Sequence, residues 1–517
     1  MSFEERLTAH RGRRHMRAST AMLIIGSSSY FGMLTGIVRS ILVMRLIGPN
    51  DQGIRRIVDI FTKYLTNAHL GILHGTNKVM PIYLGQQDHE KVELVEDVGT
   101  TWTIGLTLLA AVGMALHGMS NPVGDRTKAL AIVIGAGWLI TQQTYTLYRT
   151  VIRTWGNFRA LGIVGAIDTV TTFVFTLLGA WKYGVLGAMG GMLAAWMTSL
   201  LVLHRIAPLY IRVRIAPRVA LQLALAGLPI AAYIFGDTLL RTVDGAIIGH
   251  FLGNYSMGLY SVAMQMGAYL FAIPEAAGFV LWPRILSAYG AADGDGAALR
   301  RQVVVPTLVA GSFMPILAGT AYILLPPMVW DVLPKYHLSV AATQVLAMAS
   351  VFLALPMATN SLLIANNREA TAVIIKLLGA GVSALGCLWL VHHQGTLEQL
   401  ALAAGAGYAV SGLLSVLIVL PQYERSPLRV AGLYVSVLAP FVWSCAALAL
   451  SFAFSGVFLV PDRISWRWAI VRVICFVLLM IPVLLYGNRR TRLLTELADM
   501  IKSWRPLPSE EEHETNA

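Results

Sequence analysis

The sequence predicts an all-α, polytopic membrane protein of about 14 transmembrane helices. Three observations predict it. Of 517 residues, 56% are hydrophobic and only 13% are charged, against about 25% charged in soluble domains. Apolar runs of about 20 residues, enough to cross ~30 Å of hydrocarbon, recur along the whole chain. No connection is long enough to hold a soluble catalytic domain. Strong, long apolar periods exclude a barrel, whose strands would be about 10 residues of alternation.

By length and apolarity the spans fall near 21–47, 54–84, 98–118, 128–152, 160–181, 184–206, 219–249, 256–286, 302–326, 338–364, 369–392, 397–421, 428–457 and 466–487. The first follows a basic tail, residues 1–20, carrying Arg11, Arg13, Arg14 and Arg17. It is too long for a signal-peptide core and no small-residue cleavage site closes it, so it reads as an uncleaved span. The longest connections are 85–97, 207–218 and 287–301. The middle one, with two prolines and three arginines, separates an N-terminal six-helix lobe (21–206) from a C-terminal one (219–421). Helices thirteen and fourteen (422–487) follow. The end (488–517) reads as an amphipathic segment, with Leu493, Leu494, Leu497, Met500, Ile501 and Trp504 on one face, and an acidic tail.

The net charge is +12, and its placement matters more than its size. With both termini cytoplasmic, the inner segments hold about 24 Lys and Arg and the outer ones about 8, as the positive-inside rule requires. Trp181, Trp282, Trp330, Trp466 and Trp468 fall near span ends, as interfacial anchors do. The basic balance therefore orients the protein in the inner membrane and implies no nucleic acid. Cys387, Cys445 and Cys475 sit in apolar runs without CxxC spacing, and the histidines show no metal spacing. The chain has no P-loop. No catalytic set, metal or cofactor is expected.

A weak internal repeat is present. Gly48 and Gly53 follow the first span, and Gly253 and Gly258 follow the seventh, at an offset of 205 residues. Pro81 has a counterpart in Pro283, three residues out of register. A tight turn between spans needs a positive φ and close approach, which glycine supplies. Internal repeats of this kind mark many transporters.

Ionisable groups inside a span are costly and face the bundle interior or water. In the second span Arg56, Asp59, Lys63, Asn67, His74 and Lys78 step by three or four with one seven-residue gap. They form a polar stripe on one face of a continuous helix, which either walls a hydrated cavity, the favoured reading, or is the solvated face of a helix lying partly at the surface. Asp59 and Lys63 can pair at i,i+4. Arg39 lies deep in the first span, and the 205 offset sets it opposite Asp244. Arg241 is three residues before Asp244 and can pair with it, and Asp237 lies a further turn back. The alternatives are a self-neutralising Arg241–Asp244 pair, or an anion site at Arg39 and Arg241 with Asp244 or Asp237 in ion coupling. Glu275, following Pro274, is a further candidate ion-sensitive carboxylate. Lys376 is expected to snorkel to the inner interface. Gln142 and Gln143 read as interhelical hydrogen-bond partners.

These features resemble a known family. The run from Gly26 through Arg39 to Leu46-Ile-Gly48-Pro-Asn-Asp-Gln-Gly53 is similar to the opening of the polysaccharide flippases of the multidrug/oligosaccharidyl-lipid/polysaccharide exporter superfamily. Asp244-Gly-Ala-Ile-Ile-Gly-His-Phe-Leu-Gly253-Asn-Tyr-Ser-Met-Gly258-Leu-Tyr260-Ser-Val-Ala263 resembles that family's second-half signature. Tyr183-Gly184-Val-Leu-Gly187-Ala-Met-Gly190-Gly resembles its turn between helices five and six. The resemblance implies two six-helix lobes around a central cationic cavity. It implies a flippase that moves a polyprenyl-diphosphate-linked oligosaccharide across the cytoplasmic membrane by alternating access, driven by a gradient of H+ or Na+. It also implies partners among the glycan polymerases and glycosyltransferases of the same pathway. Arg39, Asp244 and Tyr260 occupy motif positions. Helices thirteen and fourteen depart from the twelve-helix majority and are shared with the lipid II flippase branch. A lipid II flippase and a multidrug cation antiporter are the alternatives within the superfamily, and a membrane-embedded glycosyltransferase or polymerase is the alternative outside it.

Overall fold

A computed structural model describes residues 18–120, 126–209, 212–291, 296–366, 368–423, 426–454 and 465–491. Every regular element among them is helical. In order they are α1 (Ala18–Leu46), α2 (Pro49–Leu65), α3 (Ile72–Gly85), α4 (His89–Ser120), α5 (Arg126–Thr154), α6 (Phe158–Ile206), α7 (Pro217–Phe251), α8 (Gly253–Ala291), α9 (Gly296–Val332), α10 (Val340–Ala354), α11 (Pro356–Ala365), α12 (Glu369–His392), α13 (Leu397–Val419), α14 (Pro427–Phe454) and α15 (Trp466–Thr491). Ten helical stretches among the described residues are long and apolar enough to cross a membrane. The basic tail 1–17 and the amphipathic segment from 492 lie outside the described residues, as do the side chains of Trp282 and Pro283.

The burial pattern is that of a protein solvated by lipid. Large apolar side chains such as Leu109, Trp181, Leu201 and Leu385 point outward, while Thr, Ser and charged groups are buried inside. Backbone groups with no water must be satisfied within each helix. Buried threonines add to this by donating to the carbonyl four residues earlier, as Thr62 does to Val58 and Thr76 to Ile72.

The chain divides into two compact units, 1–261 and 262–517, with the boundary inside α8. In the first unit the main packed pairs are α1 with α6, α3 with α7, and α5 with both α4 and α6. Its core joins Val95, Val98, Tyr145, Tyr148, Trp155 and Leu203. In the second, α13 packs on α12 and α10, and α9 packs on α10, α14 and α15. There α15 buries a stripe of Ala469, Arg472, Phe476 and Met480, and the Arg472 guanidinium lies 4.6 Å from the ring centre of Phe452.

Several elements differ from the sequence expectation. The span expected at 54–84 is two helices. A short 3-10 turn, Thr66–His69, follows α2, and Leu70 (φ 51°) and Gly71 (φ 87°) are left-handed before α3 begins. The freed carbonyl of Thr66 accepts from Gln143 Nε2 on α5, and the Gly71 N–H donates to His69 Nδ1. A non-helical stretch is tolerated at membrane depth only with such replacements. Helix α4 starts at His89, not near 98, because Asp88 caps it: Asp88 Oδ1 accepts from the backbone N–H of Lys91. The side-chain hydrogen bond from Lys91 also holds the exposed Asp88 carboxyl below the usual range. The fifth and sixth expected spans join at Tyr183 and Gly184 (φ 60°), where the helical path folds back. Gly179 and Gly191 then meet the backbone of the opposing limb so closely that a Cβ at either would overlap it. Between α6 and α7, residues 212–216 have no regular secondary structure. Thr101 on α4 holds them, donating to the Arg212 carbonyl and accepting from the Arg214 N–H.

The repeat glycines occupy a crossing between α2 and the start of α8. A Cβ on Gly53 would overlap the Asn254 carbonyl, and one on Gly258 would overlap the Pro49 carbonyl. Pro49 and Asn254 are 205 apart, as are Gly53 and Gly258. Each repeat thus presents its glycine to the other's carbonyl, the exchange of roles that a two-fold relation produces. Gly253 has φ 80°, whereas Gly48 is extended (φ −80°) and serves as the residue preceding α2.

Gly53→Val and Gly258→Val should each separate this crossing and cost about 1–3 kcal/mol through overpacking. Thermal unfolding of the purified protein in detergent measures it. Gly105→Ala, inside α4 where a Cβ meets nothing, should not lower the transition and should raise it slightly through helix propensity.

Candidate functional site

Helix α2 carries the densest charge. Pro49 at its start fixes φ, and the Gly53 crossing sets the helix against α8. Arg56, Asp59 and Lys63 therefore stand one turn apart on one side. Asp59 Oδ2 lies 2.9 Å from Arg56 Nη1 and 3.0 Å from Lys63 Nζ, so one carboxylate oxygen bridges two cations. All three are half-buried, Arg56 most deeply. Asn67 donates to the Lys63 carbonyl at the end of the helix.

Helix α7 supplies the second half. Asp237 Oδ2 pairs with Arg241 Nη2 at 2.8 Å, and Arg241 lies within electrostatic range of Lys63. Thr242 Oγ1 donates to Tyr64 Oη at 3.0 Å and fastens α7 to α2. Asp244, fully buried, accepts from Tyr260 Oη on α8 at 2.6 Å. Arg56 is within electrostatic range of Asp244. Of the two alternatives for Arg241 and Asp244, the self-neutralising pair is not the one these contacts show. Helical side chains lean toward the N-terminus, which carries the long Arg241 back to Asp237 and leaves Asp244 to the neighbouring helix. Arg56, Lys63 and Arg241 share this cluster with three carboxylates, and Arg55 is also in electrostatic range of Asp59, so the expected surplus of positive charge is largely compensated within it.

The remaining candidates are placed elsewhere. The break at Leu70 and Gly71 falls in the seven-residue gap of the polar stripe, so the single face expected across 56–78 is divided. His74 on α3 meets the buried His69, their ring centres 5.2 Å apart, and Lys78 is exposed. Arg39 is half-buried on α1 and is in electrostatic range of Asp168 on α6, as is Arg149 on α5. Asp168 accepts from Ser199 at 3.0 Å and from Thr172 at 3.4 Å. Arg149 lies 5.5 Å from the ring centre of Tyr145. Glu275 is exposed at the end of the described apolar stretch of α8, in the second unit. Lys376 is 3% exposed and buried within the second unit, which replaces the snorkelling expected of it.

Sequence reasoning passed over Asp168 and the buried acidic pair Glu96–Asp97. Asp168 lies well inside the fifth expected span, so the rule that flagged Arg39 would have found it. Glu96 and Asp97 were hidden by reading 85–97 as a loop, and Glu96 accepts from Trp155 Nε1. Among the described residues no group of three or more His, Cys, Asp or Glu is placed to hold a metal ion.

With this geometry established, comparison with known proteins places the chain. Residues 42–333, more than half of it, match the family described as "Polysaccharide biosynthesis protein". The chain belongs to this polysaccharide biosynthesis family. No curated protein matches it by sequence. Its fold is shared with solved transporters. A structure described as "Lipid II flippase MurJ, inward closed conformation" superposes with a TM-score of 0.64 at 14% identity, covering 90% of this chain and 99% of that one. An inward-facing multidrug resistance MATE family transporter of the MOP superfamily gives 0.59 at 14% identity, covering 84% and 99%. A MOP superfamily transporter from Pyrococcus furiosus, whose binding pocket is described as reversed in polarity, gives 0.56 at 14% identity, covering 83% and 98%. As a polysaccharide biosynthesis family member with this fold, the protein is a multi-pass membrane protein.

Tyr260→Phe should leave the buried Asp244 carboxylate without its hydroxyl donor and cost about 1–3 kcal/mol of stability. A double-mutant cycle with Asp244→Asn, read by thermal unfolding, should return a coupling of at least about 0.5 kcal/mol, and simple additivity would show that the contact carries no energy.

Proposed function

We propose that this family member is a flippase that carries a polyprenyl-diphosphate-linked oligosaccharide across the cytoplasmic membrane by alternating access, with both termini on the cytoplasmic side. The observation that carries the reading is the Arg56–Asp59–Lys63 constellation on α2 beside Asp237–Arg241 on α7, a helix long and apolar enough to cross a membrane. Ionisable groups at this depth are functional by default because lipid penalises them. Arg and Lys are the side chains that bind phosphate oxygens, Arg in bidentate fashion and Lys as a point charge. A diphosphate is the part of a lipid-linked glycan that such groups would hold, while the polyprenyl tail stays in the bilayer. Family membership and the likeness to a lipid II flippase fold support the same substrate class.

Movement needs an energy source, and Asp244 is the group suited to ion coupling. It is fully buried, fastened by one short hydrogen bond to Tyr260, and near Arg56. Binding of H+ or Na+ would alter the charge that Arg56 senses, and so link the ion to the anion site. Glycosyltransferases and a glycan polymerase of the same pathway would supply and consume the cargo.

Arg56→Ala, Lys63→Ala and Arg241→Ala should each slow flipping of a lipid-linked oligosaccharide in proteoliposomes on the order of tenfold, the equivalent of ~1.5 kcal/mol from one charge-assisted hydrogen bond. Wild-type rates in all three, at equal protein content, would overturn the reading. Asp244→Asn should transport without responding to an imposed H+ or Na+ gradient, and full retention of that response would remove Asp244 from coupling.

A further inference from the structure

The cations proposed to hold the substrate are already occupied. Asp59 Oδ2 sits between Arg56 and Lys63 at 2.9 and 3.0 Å, and Asp237 Oδ2 sits 2.8 Å from Arg241. Both pairings are local, at i,i+3 and i,i+4, so they form from each helix alone and need no ligand. The members are partly open: the Lys63 side chain retains 44% of its exposure, Arg241 27% and Arg56 14%. The other charged neighbours are Asp244, held by Tyr260, and Arg55, which turns to Gln52 at 3.5 Å. An incoming anion therefore meets cations whose charge is already largely compensated, and it must offer them more than the carboxylates it replaces.

We infer that Asp59 and Asp237 are built-in competitors that set the charge threshold of the site, so that it accepts a diphosphate and refuses the singly charged phosphodiesters of ordinary membrane lipids. The inference rests on the anion-site reading above. A monoanionic phosphodiester brings one charge, no more than the carboxylate it displaces, and the displaced carboxylate must then find new partners. A diphosphate brings at least two charges and oxygens on two phosphorus atoms. It can engage Arg56, Lys63 and Arg241 together, in bonds that are strengthened by charge on both sides. The threshold matters because phosphodiester lipids surround the protein in vast excess, and an uncompensated cationic site would be filled by them. Specificity obtained by penalising the wrong ligand, in addition to attracting the right one, is the general strategy.

The test is equilibrium binding of inorganic pyrophosphate and of dimethyl phosphate to purified full-length protein at fixed salt and pH. Wild type should bind pyrophosphate and discriminate against dimethyl phosphate by at least 100-fold. Asp59→Asn should tighten dimethyl phosphate by at least tenfold and narrow the discrimination by the same factor. Asp237→Asn, on a separate helix, should do so independently and guards against a folding defect in the first variant. Asp59→Glu, which keeps the charge, should preserve discrimination. An unchanged ratio in both folded Asn variants, or weaker binding of both probes, would overturn the inference. Lys63→Ala separates the two readings. If it weakens pyrophosphate binding while the Asn variants leave the ratio alone, the anion site stands and the threshold falls. If it leaves pyrophosphate binding untouched, both fall.

Discussion

A charge in hydrocarbon has to be compensated, and the interior of the first unit is arranged around that requirement. Asp59 serves two cations with one oxygen, Asp237 serves Arg241, Asp244 takes the Tyr260 hydroxyl, and Asp168 takes two hydroxyls with Arg39 and Arg149 nearby. Each solution fixes a helix. The Asp244–Tyr260 bond ties α7 to α8, Thr242–Tyr64 ties α7 to α2, and Ser199–Asp168 ties the two limbs of α6. Removing one partner of such a pair leaves a buried charge, which is more costly than never having placed it there. The polar network is thus both the candidate site and part of what holds its walls in register.

Close backbone approach is the second constraint, and it works where side chains are absent. The reciprocal overlap of Gly53 with Asn254 and of Gly258 with Pro49 admits nothing larger than hydrogen. Lipid offers no hydrophobic drive for one helix to prefer another over solvent, so packing of small residues carries the association. The same device recurs where Gly71 and Gly75 meet Gly227 and Leu223 on α7. There it sits beside the break between α2 and α3, where Gln143 caps the freed carbonyl of Thr66. Discontinuous helices of this type occur at transporter binding sites.

Much of the architecture was legible because lipid imposes a simple code. Apolar run length located the spans, and the basic surplus proposed an orientation. The 205-residue offset was legible from four glycines, although the reason for them was only partly so. Gly253 has the positive φ that was expected, while Gly53 and Gly258 are required by contact with a partner 205 residues away. The start of α4 was obscured because 85–97 is rich in charge, and the cap at Asp88 outweighs that composition. The break in the second span was invisible because its residues, Leu70 among them, carry no proline to announce it.

By itself the sequence determined what each residue could afford: which stretches belong in lipid, which charges are too expensive to be incidental, and where two repeats match. It did so because hydrophobicity and spacing are properties of the chain. Partner choice was decided only in the tertiary structure. Arg241 and Asp244 lie three residues apart and could have neutralised each other, yet Arg241 leans back to Asp237 and Asp244 accepts from Tyr260 through one of its two oxygens. Arg39 is drawn to the neighbourhood of Asp168 on a helix more than a hundred residues on. These choices follow from side-chain direction and helix packing, which spacing along one chain does not encode.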